Sequence, residues 1–332
     1  MKPLIQRLRP AALLAAWAGT ALMAGAPSWA QAPAYPARPV TLVVPYPPGG
    51  ATDTVGRILA KAMGQRLGQP MLVDNRPGAG TAIGAGQVAQ APADGHTLLI
   101  SSNTTFTINP ALKNKLPYDP LTSFESLGIM GSSPLVLLAH PAVPANDVKA
   151  LVALAKSQPG KVSFGSFGNG TTSHFAGEMF KLVAGINLVH VPYKGSAPAM
   201  QDLIGGQIQL TFDTNVASIP QIKAGKVKAL AVTSLKPSST LPGVPSIAEA
   251  GYPGFEMVPW ITVVAPRGLP APVRAALTRA FADSLADAGT RAQLVKVGVD
   301  VVHEPPAAYE RRVAEELPRL RVYVHKAGLT VE

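Results

Sequence analysis

Cysteine is absent from the 332-residue chain. Disulfides, thiolate metal sites and cysteine nucleophiles are therefore excluded. Charge is sparse as well: Asp, Glu, Lys and Arg together make up 14% of the residues, against 47% hydrophobic ones. A disordered chain needs the opposite balance. Glycine (31) and proline (33) are frequent but follow no G-X-Y period, which excludes a collagen-like chain. Nucleotide motifs are missing too. There is no G-x-x-x-x-G-K-[ST], and Gly84 after Gly78-Ala79-Gly80 misses G-x-G-x-x-G by one residue. The six histidines (96, 140, 174, 190, 303 and 325) show no H-x3-H or H-E-x-x-H spacing, so no metal site is expected. Basic residues are scattered singly without interleaved aromatics, so no nucleic-acid partner is expected. Glu315-Glu316 beside Arg311-Arg312 reads as a solvated helix face.

What is present begins with a leader. Met1 to Arg9 is short and basic, Ala11 to Ala26 is uncharged and rich in Ala and Leu, and Pro27-Ser28-Trp29-Ala30 follows. That order is a secretory signal peptide (residues 1–30), with cleavage expected after Ala30 and export to the periplasm. The apolar run is short and broken by Gly19, Thr20 and Gly25, unlike a membrane anchor. No later segment reaches the length of a span. Removing the leader takes Lys2, Arg7 and Arg9, so net charge falls from +10 to +7 (10 − 3). It also takes Trp17 and Trp29, leaving Trp260 as the sole tryptophan.

The remaining length suits two domains, and from Val40 the chain repeats a β-then-α unit. Val40–Val44 is β-branched and uncharged, a strand buried on both faces. A helix over Thr54 to Leu67 follows, then strands at Met71–Val73 and Thr97–Ser101 with a small-residue helix between them. A second series carries strands at Leu135–Ala139, Val162–Gly165, Leu188–Pro192, Ile208–Phe212 and Lys228–Thr233. A last strand, Thr262–Ala265, precedes a mostly helical tail. The alternation predicts α/β lobes with parallel sheets. The expected division is 31–133 plus 258–332 for lobe 1 and 134–257 for lobe 2, with the tail folded back on lobe 1.

Each series holds one glycine turn between a strand and a helix. In Tyr46-Pro47-Pro48-Gly49-Gly50-Ala51-Thr52-Asp53 the glycines allow close backbone approach. Thr52 or Asp53 can cap the helix, whose remaining amides form an anion site. The second turn, Gly165 to His174, adds Ser and Thr hydroxyls as donors. Two such turns facing each other outside the carboxyl ends of the strands would clamp a small anion. A rival reading takes Ser166, His174 and Asp213 as an exported serine hydrolase, although the G-x-S-x-G elbow is absent.

Tyr35-Pro36-Ala37-Arg38-Pro39-Val40, Val44-Pro45-Tyr46-Pro47-Pro48-Gly49-Gly50-Ala51-Thr52-Asp53 and Val73-Asp74-Asn75-Arg76-Pro77-Gly78-Ala79-Gly80 resemble the tripartite tricarboxylate transporter receptor family, also called the Bug family. Val191-Pro192-Tyr193-Lys194-Gly195, Gly205-Gly206-Gln207-Ile208 and Ile222-Lys223-Ala224-Gly225-Lys226 extend the likeness over almost the whole mature chain. The resemblance implies a two-lobed periplasmic-binding-protein-like fold of type II, each lobe a mixed or parallel sheet flanked by helices. It implies a monomeric, non-enzymatic receptor without a cofactor, which closes on a small carboxylate and serves integral membrane permease subunits. A sensor subunit signalling to a membrane partner would share these features. Carried over by motif, the site takes Tyr46, Pro48, Gly49, Gly50, Thr52 and Asp53 from the first turn. From the second it takes Ser166, Gly168, Asn169, Gly170, Thr171, Ser173 and His174. Ser102, Asn103 and Thr104, with Asp213 and Asn215, are further wall residues.

Overall fold

The computed structural model describes residues 35–113, 115–238 and 240–329, apart from the side chains at 326 and 327. The leader and the cleavage after Ala30 lie outside the described residues. From Tyr35 onward the chain is one compact body. Its elements run β1 (Val40–Val44), α1 (Ala51–Leu67), β2 (Met71–Asn75), α2 (Ala82–Ala89), β3 (Thr97–Ser102), α3 (Asn109–Leu112) and β4 (Phe124–Ser132). Next come β5 (Leu135–Ala139), α4 (Val148–Ser157), β6 (Ser163–Ser166), α5 (Thr172–Ala184), β7 (Val189–Pro192) and α6 (Ser196–Ile204). The rest are β8 (Leu210–Thr214), α7 (Asn215–Lys223), β9 (Lys228–Val232), β10 (Trp260–Pro266), α8 (Ala271–Ala286), α9 (Ala288–Lys296), β11 (Asp300–Glu304) and α10 (Pro306–Ala327).

The strands form two sheets, ordered β11-β4-β10-β3-β1-β2 and β7-β6-β8-β5-β9. Each contains three neighbouring parallel strands: β2, β1 and β3 in one, β7, β6 and β8 in the other. Beside them lies the strand that has just arrived from the other sheet, and it runs antiparallel. It is β10 against β3 in the first sheet and β5 against β8 in the second. The chain passes from one sheet to the other between Ser132 and Leu135, and returns between Val232 and Trp260. The sheets are therefore mixed, not purely parallel.

Helices cover both faces of each sheet, which is why the strands read as unbroken apolar runs. Val40, Leu42 and Val44 enter one core and Val43 the other. In the second sheet Leu135, Leu137 and Ala139 alternate in the same way with Val136 and Leu138.

Two strands escape the apolar pattern, β4 and β11. In β4 the interior glycines accept a close neighbour: a Cβ at Gly131 would lie 2.5 Å from the Asp300 carbonyl oxygen. One at Gly128 would lie 2.7 Å from that of Glu304. Glycine inside a strand weakens the β signal but permits that approach.

The tail also departs from expectation. Ala308, Tyr309 and Val313 of α10 enter a core beside the first sheet, yet Leu320, Tyr323 and Val324 pack on the core of the second. Nor is its acidic pair wholly solvated. Glu316 accepts from Trp260 Nε1 at 2.8 and 3.0 Å and from Thr107 Oγ1 at 3.2 Å. Burial raises its pKa, with those two donors and nearby Arg312 and Arg319 opposing.

Candidate functional site

The first turn brings the end of β1 to the start of α1. Helix α1 begins at Ala51, three residues earlier than the apolar stripe indicates, and Gly50 is its N-cap with no side-chain cap bond. Asp53 sits at the third helical position instead. Its carboxylate accepts from the Gly49 amide at 2.9 Å, Arg57 Nε at 3.0 Å and Asn75 Nδ2 at 3.0 Å. Burial alone would raise its pKa, but these donors and the Arg57 charge hold it below the ordinary carboxylate range. Asp53 is thus a brace for the turn. Gly49 permits the fold-back with φ +79°. The amides of Ala51 and Thr52, at the positive end of a 17-residue helix, make no hydrogen bond within the described residues.

The second turn is arranged otherwise. Thr171 caps α5, and its side chain accepts from the His174 amide. The Gly168 amide donates to Ser166 Oγ at 3.1 Å, that of Gly170 to His174 Nδ1 at 3.3 Å, and that of Thr171 to the Gly168 carbonyl at 3.3 Å. The Thr172 amide donates to Thr104 Oγ1 beyond β3 at 3.0 Å, and Thr172 Oγ1 reaches Asn103 Oδ1 at 3.0 Å. Asn169 presents its carbonyl to the place where a Cβ on Gly80 would stand, 2.8 Å away. Gly170 lies against Asn109 in the same manner. This turn is packed onto elements of the first sheet, and its Gly168, Gly170, Thr171 and Thr172 amides are all engaged within the protein.

Ser166, His174 and Asp213 do not form a relay. Ser166 is fully buried and its Oγ bonds His190 Nε2 at 2.6 Å. His174 stacks on the His190 ring with centroids 4.2 Å apart. Burial first, then the His174 and Lys181 charges, drive the His190 pKa down to about 3. Ser173 Oγ donates to the Phe212 carbonyl at 2.6 Å. Asp213 is bonded by Ser196 Oγ, at 3.0 and 2.8 Å to its two oxygens, and by the Thr214 amide at 2.8 Å. Asn215 Nδ2 holds Ser238 and Thr240 at 3.0 and 2.8 Å.

Between the two sheets lies a cavity of about 50 Å³. Tyr46, Pro48, Gly50, Thr52, Ser102 and Thr104 line it, whereas Gly49 and Asp53 do not. Tyr46 is half-buried, its phenol lies 3.2 Å from Ser102 Oγ, and desolvation raises its pKa. From the second turn only the flanking Phe167 and Thr172 reach the cavity; Ser166, Gly168, Asn169, Gly170, Thr171, Ser173 and His174 do not line it. Asp213 and Asn215 do not line it either, and Asn103 borders a separate, larger cleft beside α10.

The opposite wall is one that sequence reasoning missed: Ser196 and Ala197 opening α6, and Thr214 capping α7. The amides of Ser196 and Ala197 make no bond within the described residues. Thr214 Oγ1 is buried without a well-formed partner, though close enough to Asp213 to help hold its charge. A readable signal existed at α6, where glycine followed by Pro198 after a strand marks a helix start. Ser133 and Pro259, from the two sheet-to-sheet passages, complete the floor with Val216 and Ile261.

No Lys, Arg or His lines this cavity. Among the described residues no cluster of His, Asp or Glu could hold a metal ion. Free amides at two facing helix starts, with hydroxyls and apolar walls, suit a small anion with an apolar body.

A family model described as "Tripartite tricarboxylate transporter family receptor" matches residues 55–329. Protein BugT of Bordetella pertussis is 36% identical over 306 residues, 92% of this chain and 94% of that protein. The structure of the periplasmic binding protein BugD is 39% identical, with TM-score 0.86, covering 90% of this chain and 100% of that one. A Rhodopseudomonas palustris protein solved with adipate, Rpa4515, is 35% identical with TM-score 0.86, over 89% and 99% of the two chains. MatC from the same organism, with bound malate, is 33% identical with TM-score 0.83, over 87% and 100%. Among the described residues no helix is long and apolar enough to cross a membrane.

Proposed function

Because the chain belongs to the tripartite tricarboxylate transporter receptor family, we propose that it is a periplasmic receptor that captures a small carboxylate. The ligand is held in the cavity between lobe 1 (31–133 plus 258–332) and lobe 2 (134–257). The monomeric receptor, freed of its leader after Ala30, then delivers it to integral membrane permease subunits. The observation that carries this reading is the cavity wall. The starts of α1 and α6 offer unbonded amides, and Tyr46, Thr52 and Thr214 add hydroxyls, with no cation among the lining residues. Helix dipoles and several N–H groups hold a carboxylate without a charged side chain. Adipate and malate in two related proteins support the same ligand class.

Binding is expected without turnover. Trp260 is buried, and its chain neighbours Pro259 and Ile261 line the cavity, so its emission is used as the readout of ligand entry. The test is a titration of Trp260 emission together with thermal shift, using di- and tricarboxylates, acidic amino acids and aromatic acids. At least one acid should give a saturable change and raise Tm, with no hydrolysis of model esters. Silence across the panel in both readouts contradicts the reading. Ester turnover abolished by Ser166→Ala would replace it with a hydrolase.

A further inference from the structure

Asp213 is a fully buried carboxylate with only neutral donors around it. Ser196 Oγ and the Thr214 amide bond it directly, and the Thr214 hydroxyl lies nearby. Ionisable groups on the surrounding elements are engaged elsewhere or lie at their far ends. On α6, Asp202 accepts from Tyr193 OH at 2.7 Å. On β7, His190 is bonded to Ser166. Across the cavity, Asp53 of α1 pairs with Arg57. Lys223 closes the far end of α7, and Lys228 the far end of β9. The partner strand β5 places Val136 opposite Asp213. Burial accordingly pushes the Asp213 pKa up to about 7, against the pull of Ser196 and Thr214.

Ser196 and Thr214 are also the polar residues of the lobe 2 wall nearest this carboxylate. While Asp213 is ionised, the single Ser196 proton points at it, and the cavity sees a lone pair. A ligand carboxylate placed there needs the same hydroxyl protons. Two carboxylates competing for shared donors cannot both stay ionised at low cost.

We propose that capture of a carboxylate in this cavity is coupled to uptake of one proton by Asp213. The protonated Asp213 donates its O–H to Ser196 Oγ, and the Ser196 hydroxyl turns its own proton toward the ligand. One proton enters from solvent, no covalent bond within the protein breaks, and Asp213 acts as a positioning residue behind the wall. This inference rests on the carboxylate reading above and adds its proton linkage. Affinity then falls as pH rises above the titration of the empty site, by up to about tenfold per pH unit.

The test is calorimetric titration of the full mature protein with malate and with adipate between pH 6 and 8.5. It is repeated in phosphate and Tris, whose different ionisation enthalpies count the protons exchanged. Uptake rising toward one proton per ligand at pH 8, with the matching loss of affinity, is expected. The Asp213→Asn variant should bind with no proton uptake and a flat pH profile. Pairing the wild-type proton count with the variant's profile keeps the test decisive even if the variant folds poorly. Binding with no net proton uptake overturns the coupling and leaves the receptor reading standing. Uptake that persists in Asp213→Asn overturns the assignment to this residue. Failure of both acids to bind at any pH counts against the carboxylate reading and the coupling together.

Discussion

The two glycine turns look alike in sequence and differ in what their backbone is free to do. The first leaves the Ala51 and Thr52 amides unbonded at the cavity, because Asp53 braces the turn from behind. The second uses the amides of Gly168, Gly170, Thr171 and Thr172 for its own cap, for His174 and for Thr104 across the cleft. Glycine content marks where a backbone can bend and be approached. Whether its donors remain available depends on partners distant in sequence. In the proposed receptor, the starts of α6 and α7 take the part expected of the second turn, since they line the cavity.

Removing the brace is the largest way to break this contrast. Asp53→Ala strips the buried acceptor from Gly49, Arg57 and Asn75. Discounted for the exposure of Arg57, the loss should be about 2–3 kcal/mol of stability in urea unfolding. Binding of malate or adipate should be lost with it. A smaller change sharpens the lobe 2 side: Thr214→Val removes a hydroxyl with no well-formed bond in the folded protein. Affinity should fall about tenfold, or about 1.4 kcal/mol, while Tm holds or rises.

Acid stability separates the second turn by another route. His190 has a folded pKa of about 3 against 6.5, so the unfolded chain binds the extra proton between those values. Stability is fully present above pH 6.5 and is lost as pH falls toward 3. Asp213 runs the other way: its folded pKa of about 7 exceeds 3.8, so its contribution is present at low pH and is lost as pH rises through 7. His190→Gln should therefore flatten the acid limb of a Tm–pH curve, by about 1 kcal/mol after discounting for partial exposure. The smallest effect is expected at the second cap. Thr171→Val should cost about 0.5–1 kcal/mol and leave carboxylate affinity within about twofold, since Thr171 does not line the cavity.

Much of the architecture was legible because strands buried on both faces are written as unbroken apolar runs, as in Val40–Val44 and Leu135–Ala139. Strand β4 was not, since Gly128 and Gly131 answer to the backbone of β11 rather than to any local pattern. Helix α10 was half legible: its periodicity is local, but which sheet each turn meets is not. In the site, the first turn with Gly50 and Thr52 stood out because strand, glycine and helix follow one another directly, whereas Tyr46, Ser102 and Thr104 were named only through the family likeness. Ser196 and Thr214 could not be ranked as wall residues, for nothing local to α6 or α7 shows that they face α1. Glu316 shows the reverse error, an acid assigned to solvent that the fold turns onto Trp260.

In the receptor we propose, free amides at the starts of α1 and α6, rather than those of the second glycine turn, hold the carboxylate. A 15N-amide NMR titration with malate or adipate tests it directly. The largest shifts should fall on Ala51, Thr52, Ser196 and Ala197, with Gly168, Gly170 and Thr171 nearly still. Dominant shifts at Gly168 to Thr171, with Ala51 and Ser196 unmoved, would place the carboxylate on the second turn instead.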